Sequence, residues 1–173
     1  EHRLSDVLNY LLGEWPVHAV DIATAYFSIR GFQQVQAGLE RLSSFRLLLG
    51  AEPTEGADVG LRPARQQIKG LLTRELNQEA YDESTLRLVE DLIGFLLRDD
   101  IAVRLYVGYD PDETGRRRFL HAKCYLLYGG HDGSHDRLNP LAAIVGSSNF
   151  TGPGLTTNRE LNTVHKTILD EDE

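Results

Sequence analysis

The sequence predicts an α/β domain, a mixed β-sheet flanked by helices on both faces. Three observations lead there. Short apolar runs rich in β-branched residues alternate with amphipathic stretches of helical period, the pattern of strands exchanged with covering helices. The second half is richer in strands than the first, which argues for a mixed sheet. At 173 residues, 41% hydrophobic and 25% charged, the chain has ordinary globular composition and the size for one core.

Leu4, Val7, Leu8, Leu11 and Leu12 recur at helical spacing, with Ser5 or Asp6 near the start. Residues 17–27 form an apolar, partly β-branched run that predicts a strand covered on both faces. Tyr26 and Phe27 end it, and core packing is their default reading over base stacking. Phe32, Val35, Leu39 and Leu42 mark a second helix, and Phe45 to Leu49 a short strand stopped at Gly50. Residues 51–60 read as a loop. Ile68, Leu71, Leu72 and Leu76 mark a third helix. Leu86, Val89, Leu92, Ile93 and Leu96 mark a fourth, with Ser84 as its expected N-cap. Strands are expected at 101–107, 119–128, 141–146 and 160–166. Residues 1–169 are read as one domain and 170–173 as an acidic, solvated tail.

Charge and cysteine usage narrow the function. The formal net charge is −8, from 18 basic and 26 acidic residues. Asp170, Glu171, Asp172 and Glu173 supply four of the negative charges, so the remaining chain stands near −4. A generally basic surface for nucleic acid or anionic lipid is thereby excluded, while a local basic groove is not. Cys124 is the only cysteine, which rules out an intrachain disulfide framework and fits a reducing, cytoplasmic setting. No apolar run reaches the ~20 residues of a membrane helix, and no N-terminal stretch reads as a signal peptide. The chain starts at Glu1 and contains no methionine, so an excised or processed piece of a longer protein is expected.

The informative stretch runs from His121 to Asn162. It holds His121-Ala-Lys123, Gly146-Ser147-Ser148-Asn149, and Asn158-Arg159-Glu160-Leu161-Asn162. Side chains alternate along a strand, so His121 and Lys123 share a face, as do Ser147 and Asn149. Glu160 and Asn162 do so if 160–166 is a strand. Polar groups on such a face must find partners or form a site. These residue types suit phosphate. Lys123 supplies a compact cation, and Ser147 and Asn149 supply neutral donors. His121 can act as nucleophile or general acid–base. Glu160 can hold the far nitrogen of a histidine ring.

His-x-Lys, then Gly-Ser-x-Asn, then Asn-x-Glu together resemble the signature of the phospholipase D superfamily, in particular its single-motif nucleases. The run 146–162 resembles phospholipase-D-like domains attached to Swi/Snf-class helicases. The resemblance covers roughly the last third of the chain and implies a phospholipase-D-like fold. It also implies a metal-independent phosphodiesterase acting on nucleic acid, DNA favoured, with no cofactor. By that resemblance His121 attacks phosphorus, Lys123 and Asn149 hold the non-bridging oxygens with Ser147 assisting, and Glu160 orients His121. Asn162 and Arg118 are expected to contact substrate. Two departures stand out. Tyr128 occupies the position of the family aspartate, five residues after the lysine. An insert, 129–140, separates the first two motifs and is expected to cover the site or shape substrate entry.

The alternative is a non-catalytic module that positions a fused helicase on DNA or on a partner. A lipid-headgroup hydrolase is the least favoured reading, since no amphipathic helix with basic flanks occurs. Arg116, Arg117 and Arg118 are read as a solvated basic run, with a backbone contact as the functional option. His131 and His135, with Asp132 and Asp136, lie among glycines that disfavour a helix, so no metal is expected there. The phosphohistidine route needs two histidines, and the chain carries one His-x-Lys block. The second is expected from another copy in a twofold homodimer, or from a matching block in a longer parent chain.

Overall fold

The computed structural model describes residues 2–50, 83–106, 120–130 and 137–167. The order is α1 (Leu4–Glu14), β1 (Val17–Thr24), α2 (Ile29–Leu39), β2 (Ser44–Gly50), α3 (Glu83–Leu96), β3 (Ile101–Tyr106), β4 (Lys123–Gly129), β5 (Pro140–Gly146), α4 (Gly152–Thr156) and β6 (Asn162–Lys166). The six strands form one sheet in the order β3-β2-β1-β4-β5-β6. β1, β2 and β3 pair in parallel, while β4, β5 and β6 are joined antiparallel. The mixed sheet is thus parallel across β3-β2-β1, where α2 and α3 lie between successive strands, and antiparallel from β1 through β4 and β5 to β6.

The four described helices pack against one face of the sheet. Val20, Ile22, Phe45, Leu47, Tyr125, Leu127 and Ile144 face Leu8, Leu11, Phe32, Val35, Leu92 and Phe95 in one buried cluster. Phe95 sits between Phe32 and Phe45, with ring centroids 5.3 and 5.4 Å away. Of the two helix-covered faces expected, the described residues fill this one. The helix expected around Ile68 to Leu76 lies outside them.

Three local expectations change. The described part of helix α3 starts at Glu83, so Ser84 is itself helical and is not the N-cap. Its buried stripe is Val89, Leu92 and Phe95, and Leu86 and Ile93 are exposed. The strand β1 stops at Thr24. Beyond it Phe27 turns inward onto Phe150, centroids 5.4 Å apart, while Tyr26 is 40% exposed and is no core residue.

The register places the motifs together. Thr24 at the end of β1 pairs with Lys123 at the start of β4. Cys124 pairs with Val145, and Gly146 pairs with Asn162. The last residues of β1 and β5 and the first of β4 and β6 therefore share one end of the sheet. A Cβ on Gly146 would fall 2.2 Å from the Leu161 carbonyl oxygen, so only glycine lets β5 and β6 approach so closely there. The insert has its anchors at the other end. Gly129 N–H donates to Asn139 O, six residues along β4 from Lys123, about 20 Å away. The expected cover over the site is thus anchored at the wrong end of the sheet.

Candidate phosphate-binding site

Lys123 is the pivot. It lies on the helix-covered face of β4 with Tyr125 and Leu127 and is only 6% exposed. Its Nζ donates to the His121 carbonyl at 3.3 Å, and among the described residues no carboxylate lies within ion-pair distance of it. Burial lowers its pKa, and the nearby Glu160 carboxylate opposes that shift. A partly desolvated cation of this kind gains more from an arriving anion than one already paired in water.

Glu160 precedes β6 and binds neutral donors. One carboxylate oxygen accepts from Ser147 Oγ and the other from Asn158 Nδ2 at 3.2 Å. Leu161 N–H donates to Ser147 Oγ at 3.0 Å, and Ser147 N–H donates to Leu161 O. The loop before β6 is thereby fastened to the loop after β5.

Asn149 reaches the other way, toward β1. Its Oδ1 accepts from Tyr26 N–H at 3.3 Å and lies 3.4 Å from Thr24 Oγ1. With the amide oxygen engaged, the Nδ2 end is the one able to donate. Phe150 N–H donates to Thr24 Oγ1 at 3.0 Å, and Thr24 Oγ1 donates to Tyr26 O at 2.9 Å. Asn149 thus spans from the β5–α4 turn to the end of β1, beside the residue paired with Lys123.

Asn162, expected at the substrate, has its amide on Ser148. Nδ2 donates to Ser148 Oγ at 2.8 Å and Oδ1 accepts from Ser148 N–H at 3.4 Å. Ser148 is fully buried, and its carbonyl accepts from Tyr125 Oη at 2.8 Å. Burial, with Glu160 nearby, pushes the Tyr125 hydroxyl far above its ordinary pKa, so it remains a donor. Thr24, Tyr125 and Ser148 escaped the sequence reading. Ser148 is the unspecified position of its motif. A lone Thr or Tyr in an apolar strand carries no signal beyond needing a partner.

His121 lies just before β4 and is exposed. Arg118 lies outside the described residues, as do Arg116, Arg117, His131 and His135. Cys124, on the opposite face from Lys123, is half-buried, and burial pushes its thiol pKa up. Among the described residues no three His, Cys, Asp or Glu side chains are grouped to hold a metal. No described helix is long and apolar enough to cross a membrane.

No family model matches the chain, and no curated protein matches it. Among solved structures, NucT from Helicobacter pylori is similar at 14% identity over 93% of this chain and 77% of that one, with a TM-score of 0.51. Nuc from Salmonella typhimurium, described as a phospholipase D family member, is 12% identical over 93% of this chain and 70% of that one, with a TM-score of 0.41. A variant of yeast tyrosyl-DNA phosphodiesterase 1 is 10% identical over 94% of this chain and 28% of that one, at 0.44. The likeness to NucT is one of fold, and the chain has a phospholipase-D-like α/β fold.

Proposed function

We propose that this domain is a metal-independent phosphodiesterase that acts on nucleic acid through a phosphohistidine intermediate. The observation that carries this reading is the buried Lys123 cation. It sits at the sheet end that also bears Asn149, Ser147 and His121, while the nearby Glu160 is bonded to Ser147 and Asn158 rather than to it. An anion entering there meets a desolvated ammonium and an amide Nδ2. His121 would attack phosphorus, a second histidine would protonate the leaving oxygen, and water would release the phosphate. Glu160 is assigned to hold His121, and Ser147 to fix Glu160. Asn162 would support the site through Ser148, and Arg118 would meet the nucleic-acid backbone.

The second histidine is proposed to come from another copy of the chain or from a matching block in a larger, helicase-type cytoplasmic protein. His18 lies at the start of β1, against Ser43, about 20 Å along that strand from Thr24. His165 pairs with Ala143 on the sheet face opposite Lys123.

The test is hydrolysis of bis-p-nitrophenyl phosphate and of single-stranded DNA with EDTA present. Turnover should persist under chelation, and His121→Ala should lose at least about a thousandfold. Light scattering should give about twice 19.4 kDa. Activity abolished by EDTA and restored by Mg²⁺ would refute the mechanism. DNA binding without turnover would mark the domain as a positioning module.

A further inference from the structure

We infer that Arg159 is a specificity-determining residue, one that binds a phosphate flanking the scissile one and so favours a nucleic-acid chain over a lone phosphodiester. This deepens the reading above and rests on it. Arg159 fills the variable position of the Asn-x-Glu motif. The loop that carries it is fastened on both sides. Asn158 N–H donates to Pro153 O at 2.8 Å and Leu161 N–H to Ser147 Oγ at 3.0 Å. The Glu160 carboxylate accepts from Asn158 Nδ2 and from Ser147 Oγ. The register sets this loop beside the site. Cys124 pairs with Val145 and Gly146 with Asn162, so Lys123, Gly146 and Asn162 lie level across β4, β5 and β6. The Asn162 backbone is two strand spacings from that of Lys123, about 10 Å. Glu160 is close enough to act on both Lys123 and Tyr125, and Arg159 is one residue further, a Cα step of about 3.8 Å.

Arg46, Arg87, Arg98 and Arg137 each pair with a carboxylate. Arg159 is exposed and makes no ion pair or hydrogen bond among the described residues. Its neighbour Glu160 is engaged by two neutral donors instead. A long, unpaired guanidinium on a fixed backbone can swing to a ligand without first leaving a partner. The charge balance says which ligand. Lys123 and Glu160 cancel formally at the site, and the chain stands at −8 overall, so the flanking phosphates of an entering polyanion are repelled. A guanidinium beside the Glu160 carboxylate offsets that repulsion, and its planar fork suits phosphate. A small diester has no flanking phosphate to offer it.

The experiment compares kcat/KM for a 12-nucleotide oligothymidine with that for bis-p-nitrophenyl phosphate. It also follows oligothymidine affinity by fluorescence anisotropy across a salt series, in the His121→Ala background so that cleavage does not intervene. Arg159→Ala should lower the kcat/KM ratio, oligothymidine over small diester, roughly 5- to 10-fold at about 50 mM salt. The slope of log affinity against log salt should flatten by about 0.7, the loss of one phosphate contact on a single strand. Arg159→Lys should restore the slope because it keeps the charge, and Arg159→Gln should not. An unchanged ratio and slope, an equal loss on both substrates, or rescue by Gln would overturn the role of Arg159 and leave the phosphodiesterase reading standing. Binding without turnover would overturn the phosphodiesterase reading, and the salt slope would then decide the Arg159 contact by itself. A parent chain that neither binds oligothymidine nor turns over either substrate would overturn both.

Discussion

At the start of β4, Lys123 faces the helix-covered side of the sheet, and its ammonium meets a main-chain carbonyl. Further along the same strand, Tyr128 faces the other side, beside Asp21, Arg46 and Arg137. There the charges satisfy each other. Asp21 accepts from the Arg46 guanidinium and from Arg137 Nε at 2.8 Å. Arg137 also donates to Ser44 Oγ at 3.0 Å and lies 6.0 Å over the Tyr128 ring. One cluster is closed and ties β1, β2 and the β4–β5 connection together. The other keeps its cation apart from its carboxylate, at a cost in desolvation. Closed charge suits stability, and separated charge suits an incoming anion. Tyr128, which stands where the motif resemblance expects an aspartate, lies in the closed cluster, among groups that support the sheet.

The largest effect expected from this contrast is at Lys123. Lys123→Met keeps the buried stem and removes the cation, so turnover should fall about 10²- to 10³-fold while thermal stability holds or rises, since a buried charge has gone. A variant that unfolds, or one that turns over like wild type, would make Lys123 a structural residue like Asp21.

The contrast explains what was legible in the sequence. Strands and helices followed from apolar spacing, because burial imposes the period. The site motifs were visible because chemistry needs particular residue types close in sequence. The support was not. Thr24 meets Asn149 across 125 positions, and Tyr125 meets Ser148 across 23, contacts that only the sheet register creates. The exposure of Tyr26 was hidden for a related reason. A run of apolar residues does not say where the ladder stops.

The closed cluster should show the opposite behaviour to Lys123. Asp21→Asn removes the charge that two arginines share. Arg46 is 54% exposed and contributes little in solvent, so Arg137, at 23%, carries most of the effect. A loss of about 1–2 kcal/mol follows, or roughly 2–8 °C in Tm, with kcat unchanged. Burial raises the Asp21 pKa, but the hydrogen bonds from Arg46 and Arg137 outweigh it and the carboxyl lies below its ordinary 3.8. A depressed carboxyl stabilises the fold above its unfolded value and loses that contribution as pH falls through its folded value. The gap between wild type and Asp21→Asn in denaturant titrations should therefore be full at pH 7 and narrow below about pH 4. A gap independent of pH would mean that packing, not charge, holds this cluster.

The smallest effect tests the link between Glu160 and Lys123. Burial lowers the Lys123 pKa from 10.5 and Glu160 raises it, so the two influences oppose each other across the site. If catalysis needs the ammonium, the alkaline limb of the pH–rate profile lies below that of an ordinary lysine. Glu160→Gln keeps an oxygen for one of its two donors, Ser147 Oγ or Asn158 Nδ2, and deletes the charge that holds the lysine protonated. Burial then acts unopposed, and the limb should move to lower pH. Tyr125 titrates in the same field, raised by burial and then by Glu160, so it needs its own control. Tyr125→Phe should leave the limb where it is, because the tyrosine hydroxyl only donates to the Ser148 carbonyl. A limb that stays fixed in Glu160→Gln, or moves to higher pH, would show that the carboxylate does not act on Lys123 and would restrict Glu160 to fastening the Ser147 loop.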